Sequence, residues 1–323
     1  MTRPVRAALE AFDLPRGDLY ELPTSSKRFE DGAEYRVEIP STEGAGCFAA
    51  VVDEADRRGV LVSRVSQGSG VLLLTDADLD EMAAIARTRS IEVSLAARPN
   101  AGWHTSAMAR SSAGSLVAAT AHGQEQVVQQ LRDVRRAAAH GFRSVLITDI
   151  GTLFLFGKMK ESGDLPPEMQ AKISVLLPAA NATAARVLCD LGASTINVPT
   201  DLSLAELAAI RAAVDCPIDI YIESADEFGG ILRYGELAEI VRVAAPVYLK
   251  LGLRNAPDIY PTGGHMDAVA TAMSRERVRR AQIALEILSR DYPTATASGV
   301  GAEGLALVAP ADESWLDRHG NDD

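Results

Sequence analysis

From about residue 30 onward, short apolar runs alternate with longer amphipathic stretches. The short runs are rich in Val, Ile and Leu and predict eight strands, over 35–39, 60–65, 91–97, 144–148, 173–177, 195–198, 218–222 and 247–251. Each is nearly continuous in apolar residues, the pattern of a parallel strand buried on both faces. Between them, helical periodicity predicts helices over 48–58, 78–87, 124–139, 182–191, 204–214, 236–244 and 275–291, with a short one at 167–171 after the fourth strand. Ser203 with Glu206 has the spacing of a capping box, Thr75 or Asp76 can cap the helix at 78, and Gly59, Gly141 and Gly192 stand where helices stop.

Eight strand–helix repeats predict an α/β fold, a TIM-like (β/α)₈ barrel, over an open doubly wound sheet with the same local pattern. Residues 1–30 carry Pro4, Pro15 and Pro23 and read as an N-terminal extension with one helix at 6–12. Residues 31–293 form the barrel domain, and 294–323 read as a loosely held tail.

Composition narrows the partners. The 323 residues carry 32 Lys plus Arg against 44 Asp plus Glu, so 32 − 44 gives −12, which disfavours nucleic acid as the main partner. Cys47, Cys189 and Cys216 stand isolated, without zinc spacing, and point to a reducing cytoplasm. The N-terminus lacks a signal core, and no run is long and apolar enough to span a membrane. A homo-oligomer stays open.

In a barrel, chemistry belongs where strands end and βα loops begin. Those positions carry Glu38, Arg64, Ser66, Gln67, Arg98, Asp149, Asn197, Glu223, Lys250 and Arg254. Asp149 and Glu223 are acid/base candidates, and they could hold a divalent ion with Glu38 or His265. Lys250, inside an apolar strand, is either a desolvated nucleophile or the ion-pair partner of Glu223. Glu38, Arg64, Ser66, Gln67, Arg98, Asn197 and Arg254 are candidate substrate ligands, the guanidinium groups for a carboxylate. The loop Ser66-Gln67-Gly68-Ser69-Gly70 could wrap an anion but lacks the Lys of a P-loop. His104, in the 103–112 loop, could line a lid. Arg275, Arg277, Arg279 and Arg280 read as a solvated helix face.

The order Asp149-Ile150-Gly151-Thr152, Ile173-Ser174-Val175, Asn181, Leu191-Gly192-Ala193 and Asp201-Leu202-Ser203-Leu204-Ala205-Glu206-Leu207 resembles family thirty-two of the peptidases of unknown catalytic type, the collagenase-like peptidases. Leu249-Lys250-Leu251-Gly252-Leu253-Arg254 is similar to that family's Leu-Lys-Ile-Glu-Gly-Arg segment, with Gly252 where the family has Glu. The resemblance spans about 145–260. It implies a barrel-like catalytic domain and peptide hydrolysis, or hydroxylation with iron–sulfur clusters in other members. The cysteine cluster of those members has no counterpart here, so no such cluster is expected.

The leading expectation is therefore a hydrolase acting on a peptide, amide or small carboxylate-bearing substrate. Asp149 or Glu223 would activate water, and Lys250 and Arg254 would hold a carboxylate or oxyanion. The alternatives are a Schiff-base lyase or aldolase using Lys250, and a non-catalytic barrel that binds an acidic ligand or a partner protein.

Overall fold

The computed structural model describes residues 4–99 and 119–311. Asn100, the 103–112 loop and His104 lie outside the described residues, as does the end of the chain after residue 311. Eight parallel strands close a barrel in sequence order. They are β1 (Tyr35–Pro40), β2 (Arg64–Gln67), β3 (Glu92–Ala97), β4 (Ser144–Ile147), β5 (Gln170–Ile173), β6 (Ala193–Asn197), β7 (Ile218–Glu223) and β8 (Val247–Leu251). The α-helices among the described residues are α1 (Val5–Glu10), α2 (Ala45–Arg58), α3 (Asp76–Arg89), α4 (Gln124–Ala139), α5 (Ile150–Ser162), α6 (Ala182–Asp190), α7 (Leu204–Ala213), α8 (Leu237–Ala244) and α9 (Asp267–Asp291). The ring closes where β1 pairs with β8, with Glu38 opposite Lys250.

The two faces of the strands differ. Val37, Ile39, Val65, Val93, Leu95, Ile147, Ile173, Ile220 and Leu249 join one apolar core with the surrounding helices. The alternate positions, Glu38, Arg64, Lys172, Asp219, Tyr248 and Lys250, meet one another inside the barrel. The strands therefore have period two, apolar outward and polar inward. They are not the doubly apolar strands expected from sequence.

That inversion explains the main departures. The sequence predicts the fifth strand at 173–177 after a helix at 167–171, whereas β5 is Gln170–Ile173 and no helix covers 167–171. Gln170 and Lys172 look like surface residues, but Lys172 points into the polar lumen. The helix after β4 is α5, which the sequence pattern missed. It is apolar on nearly all sides, leaves Ile150 and Phe154 about half exposed, and includes Gly151 and Gly157, so it has no amphipathic period. The second strand runs a few residues later than predicted, to Gln67. Thr75 and Ser203 both form capping boxes.

The barrel bottom is plugged. Phe29 of the extension packs edge-on against Tyr248 at 5.3 Å between ring centroids. Arg36 donates to Ser298 Oγ (2.8 Å) and to the Glu303 carbonyl O (2.5 Å), so residues near 300 are pinned beneath the strands and are not a loose tail. Cys189 and Cys216, which their spacing leaves isolated, are one βα repeat apart. The fold brings them together as a disulfide, while Cys47 is free and buried. No helix among the described residues is long and apolar enough to cross a membrane.

Candidate active site at the barrel mouth

The lumen is filled by a charge network with no solvent exposure. Glu38 Oε2 accepts from Arg64 Nε (2.8 Å), Arg64 Nη2 (2.6 Å) and Lys172 Nζ. Its Oε1 accepts from Ser66 Oγ (2.7 Å) and faces Lys250 Nζ at 3.5 Å. Asp219 bridges Arg64 (2.6 Å) and Lys172 (2.9 Å). The Arg64 guanidinium also lies 3.5 Å above the Tyr248 ring centroid. Three acids, Glu38, Asp219 and Glu92, thus face three bases, Arg64, Lys172 and Lys250. Burial alone would raise the Glu38 carboxyl, but Arg64, Lys172 and Lys250 hold it well below the usual carboxylate range. Burial and the Arg64 charge push the Lys172 amine down to about 8, against the pull of Asp219 and Glu38.

Lys250 is the top of this network and the floor of a cavity of about 490 Å³ in the barrel mouth. Its amine stands 4.2 Å from the Tyr221 ring centroid. The Asn197 amide is satisfied when its oxygen accepts from Lys250 Nζ (2.7 Å) and its nitrogen donates to the Asp219 carbonyl O (3.2 Å). Burial lowers the Lys250 pKa, while Glu38 and Asp219 draw it back up. Tyr221, whose phenol burial pushes up, stacks on Phe228 with ring centroids 6.0 Å apart.

At the rim, Glu227 and Asp258 both line the cavity. Burial raises the Glu227 carboxyl, and the charge of Asp258 beside it raises it further. Arg98 faces the same pair and donates to the Gly68 carbonyl O at 3.3 Å. The Gly-rich loop does not present free N–H groups to an anion. Gly68 N and Ser69 N donate to Glu43 at 2.7 and 3.0 Å, and Gly70 N donates to Gln67 Oε1 at 3.1 Å. Glu43, a buried carboxylate of this chain, occupies the nest.

Of the residues singled out from sequence, Ser66, Gln67, Arg98, Asn197 and Lys250 line the cavity. Glu38 and Arg64 lie below its floor, committed to the network. Asp149 is elsewhere. It caps α5, with Oδ1 accepting from Thr152 N (2.8 Å) and Oδ2 from Ala121 N (3.1 Å). Glu223 does not pair with Lys250; a register shift between Tyr221 and Glu223 turns it aside. Its oxygens accept from Tyr234 OH (2.6 Å) and Arg254 N (2.9 Å). The Arg254 side chain is half exposed and pairs with Asp226 at 3.2 Å. Glu38, Asp149, Glu223 and His265 do not converge, and among the described residues no three His, Cys, Asp or Glu gather as metal ligands.

Gly252, where the resembling family has Glu, lies against the β7 end. A Cβ there would be 2.7 Å from the Glu223 carbonyl O, so a side chain has no room. Sequence reasoning passed over Lys172, which fell between a predicted helix and a predicted strand, and Asp219, which fell inside a strand read as apolar on both faces. Glu227 and Asp258 were not singled out either.

The family model of peptidase family U32 matches residues 104–226. The resemblance read from the motifs therefore holds, over a segment that starts earlier and ends sooner than 145–260. No curated protein matches the chain. Among solved structures, a U32 peptidase is 11% identical, with 90% of this chain and 93% of that one covered and a TM-score of 0.37. A 3-hexulose-6-phosphate synthase is 14% identical, covering 76% and 99%, with a TM-score of 0.41. An oxaloacetate acetylhydrolase bound to oxalate is 12% identical, covering 81% and 84%, with a TM-score of 0.43.

Proposed function

We propose that the chain is a hydrolase of the peptidase type, cleaving a peptide, amide or other small carboxylate-bearing substrate in the barrel mouth. The observation that carries this reading is Lys250, a buried amine fixed by Asn197 and Glu38 on the floor of a polar cavity. The similarity of residues 104–226 to peptidase family U32 supports the reaction class.

In this reading the Lys250 ammonium donates to the scissile carbonyl oxygen and takes up the charge that develops there. Glu38 keeps the amine protonated against its burial. The Glu227–Asp258 pair replaces Asp149 and Glu223 as the proton carrier. Two carboxyls this close favour holding one proton between them, so the pair can take a proton from water as it adds to the carbonyl. It returns that proton to the leaving nitrogen as the C–N bond breaks. Before water adds, Arg98 helps keep one carboxyl of the pair ionised, which leaves it free to take the water's proton; both carboxyls are then protonated until that proton passes to the leaving nitrogen.

The test is turnover of a small peptide and N-acyl amino acid panel by wild type, Lys250→Met and Glu227→Gln. Each variant is expected to lose about 10²–10³-fold in kcat/KM while still melting as a folded protein, Lys250→Met at a lower temperature because it leaves Glu38 short of a partner. Equal turnover by wild type and Lys250→Met overturns the reading.

The same buried amine favours a second reading, a Schiff base between Lys250 Nζ and a carbonyl substrate. Borohydride trapping separates the two. A covalent adduct on Lys250 supports the lyase, and its absence in the presence of turnover supports the hydrolase.

A further inference from the structure

Arg277, on α9, has a place that a surface arginine would not take. Only 3% of it is exposed. Its Nη1 donates to the Ser41 carbonyl O at 3.1 Å, and its Nε has no hydrogen-bond partner. No carboxylate of the described residues lies within the 4.0 Å of an ion pair. Glu43 faces it, but its oxygens are occupied by Gly68 N and Ser69 N. Tyr221 and Tyr260 also face it, and burial pushes both phenols up, so neither is an anion. A guanidinium stays protonated in proteins, and a buried cation without a contact partner costs several kcal/mol. The Nε–H is a donor without an acceptor in a place where nearly all donors have one.

Arg277 lines a side pocket of about 50 Å³. The pocket shares Ser41, Tyr221, Glu227, Phe228, Asp258 and Tyr260 with the main cavity, so the two adjoin at these residues. Leu253 and Ala256, both half-buried, also line it. The volume suits a group of a few heavy atoms. One guanidinium neutralises one charge, and Asp226, Glu227 and Asp258 at the rim repel a dianion. A carboxylate fits these conditions and a phosphate does not.

We infer that this side pocket binds the substrate's carboxylate, with Arg277 as its clamp. The reacting carbonyl then reaches across Tyr221 to Lys250. Only this second half rests on the hydrolase reading. The substrate class is thereby narrowed to molecules with a small terminal carboxylate end, such as a peptide ending in a small residue.

The test uses the full chain and two probes, N-acetylglycine and its uncharged amide, N-acetylglycinamide, titrated by calorimetry alongside thermal melts. Wild type is expected to bind the acid at least tenfold more tightly than the amide. Arg277→Met should erase that preference. Ala256→Phe, which fills the pocket and leaves Arg277 in place, should erase it as well and covers the case of an unfolded Arg277 variant. Lys250→Met should keep it. A preference that survives in Ala256→Phe or in folded Arg277→Met overturns the inference, as does a wild type with no preference. If the preference depends on Arg277 but no substrate is turned over, the pocket stands and the hydrolase reading falls. If turnover depends on Lys250 but the preference is indifferent to Arg277, the reverse holds.

Discussion

Lys172 lies between Glu38 and Asp219 with no exposed surface, so its charge is committed to two acids at once. Removing it leaves both carboxylates short of a partner in a place water does not reach. Lys172→Met should cost about 3–5 kcal/mol in urea unfolding. Asp133 on α4 is the opposite case. Its Oδ2 has no partner, and burial pushes its carboxyl up to about 7, with Arg136 and the Leu72 N–H pulling the other way. The folded state holds this proton more tightly than the unfolded chain does. Its contribution is therefore fully present below the usual carboxylate pKa of about 4 and is lost as pH rises through about 7. Asp133→Asn should flatten the fall in stability over that window and raise stability at pH 8 by more than about 1 kcal/mol, as read from melts at several pH values. Neither residue is conspicuous in the sequence. Arg277 is not either, since its spacing with Arg275, Arg279 and Arg280 describes a wet helix face until the packing of α9 is known.

The eightfold strand–helix repeat was legible, because outward apolar positions recur along the strands and side-chain caps mark the starts of helices such as α3 and α7. Six of the eight helices following the strands lie within a few residues of where periodicity put them; α5 was missed, and α9 begins eight residues earlier than expected, at Asp267. The unit from β4 to β5 was not legible. There α5 has no clear amphipathic period and β5 alternates polar with apolar residues over only four positions, so neither matches the pattern by which the other helices and strands were read. The same unit misplaced Asp149. At the end of β4 it reads as an acid at a catalytic position, yet its oxygens hold the first turn of α5 and the Ala121 N–H. Asp149→Ala should therefore behave as a lost cap, costing about 1 kcal/mol in stability and leaving the turnover of a Lys250-dependent substrate within a few-fold of wild type. A loss as large as that of Glu227→Gln would return Asp149 to the chemistry.

At the scale of the whole barrel, hydrophobic burial and charge pairing are separated by the sheet. The apolar core lies between strands and helices, while the lumen is a column of acids and bases plugged below by Phe29 and Tyr248 and open above at Lys250. The column fixes the charge state of the floor. Glu38 can steady Lys250 only while Arg64 and Lys172 keep Glu38 ionised. Such an arrangement is a single unit, and its members should not contribute additively. Glu38→Gln alone leaves three cations facing fewer acids, and Lys172→Met alone leaves the acids in excess. The double variant restores the balance that each single one breaks. It should be more stable than the sum of the single losses predicts, by about 1–3 kcal/mol in a double-mutant cycle. Additive losses would mean that water screens the two groups from each other. A lumen so hydrated could not lower the Lys250 pKa by burial, and the buried amine on which the proposed chemistry rests would be an ordinary solvated one.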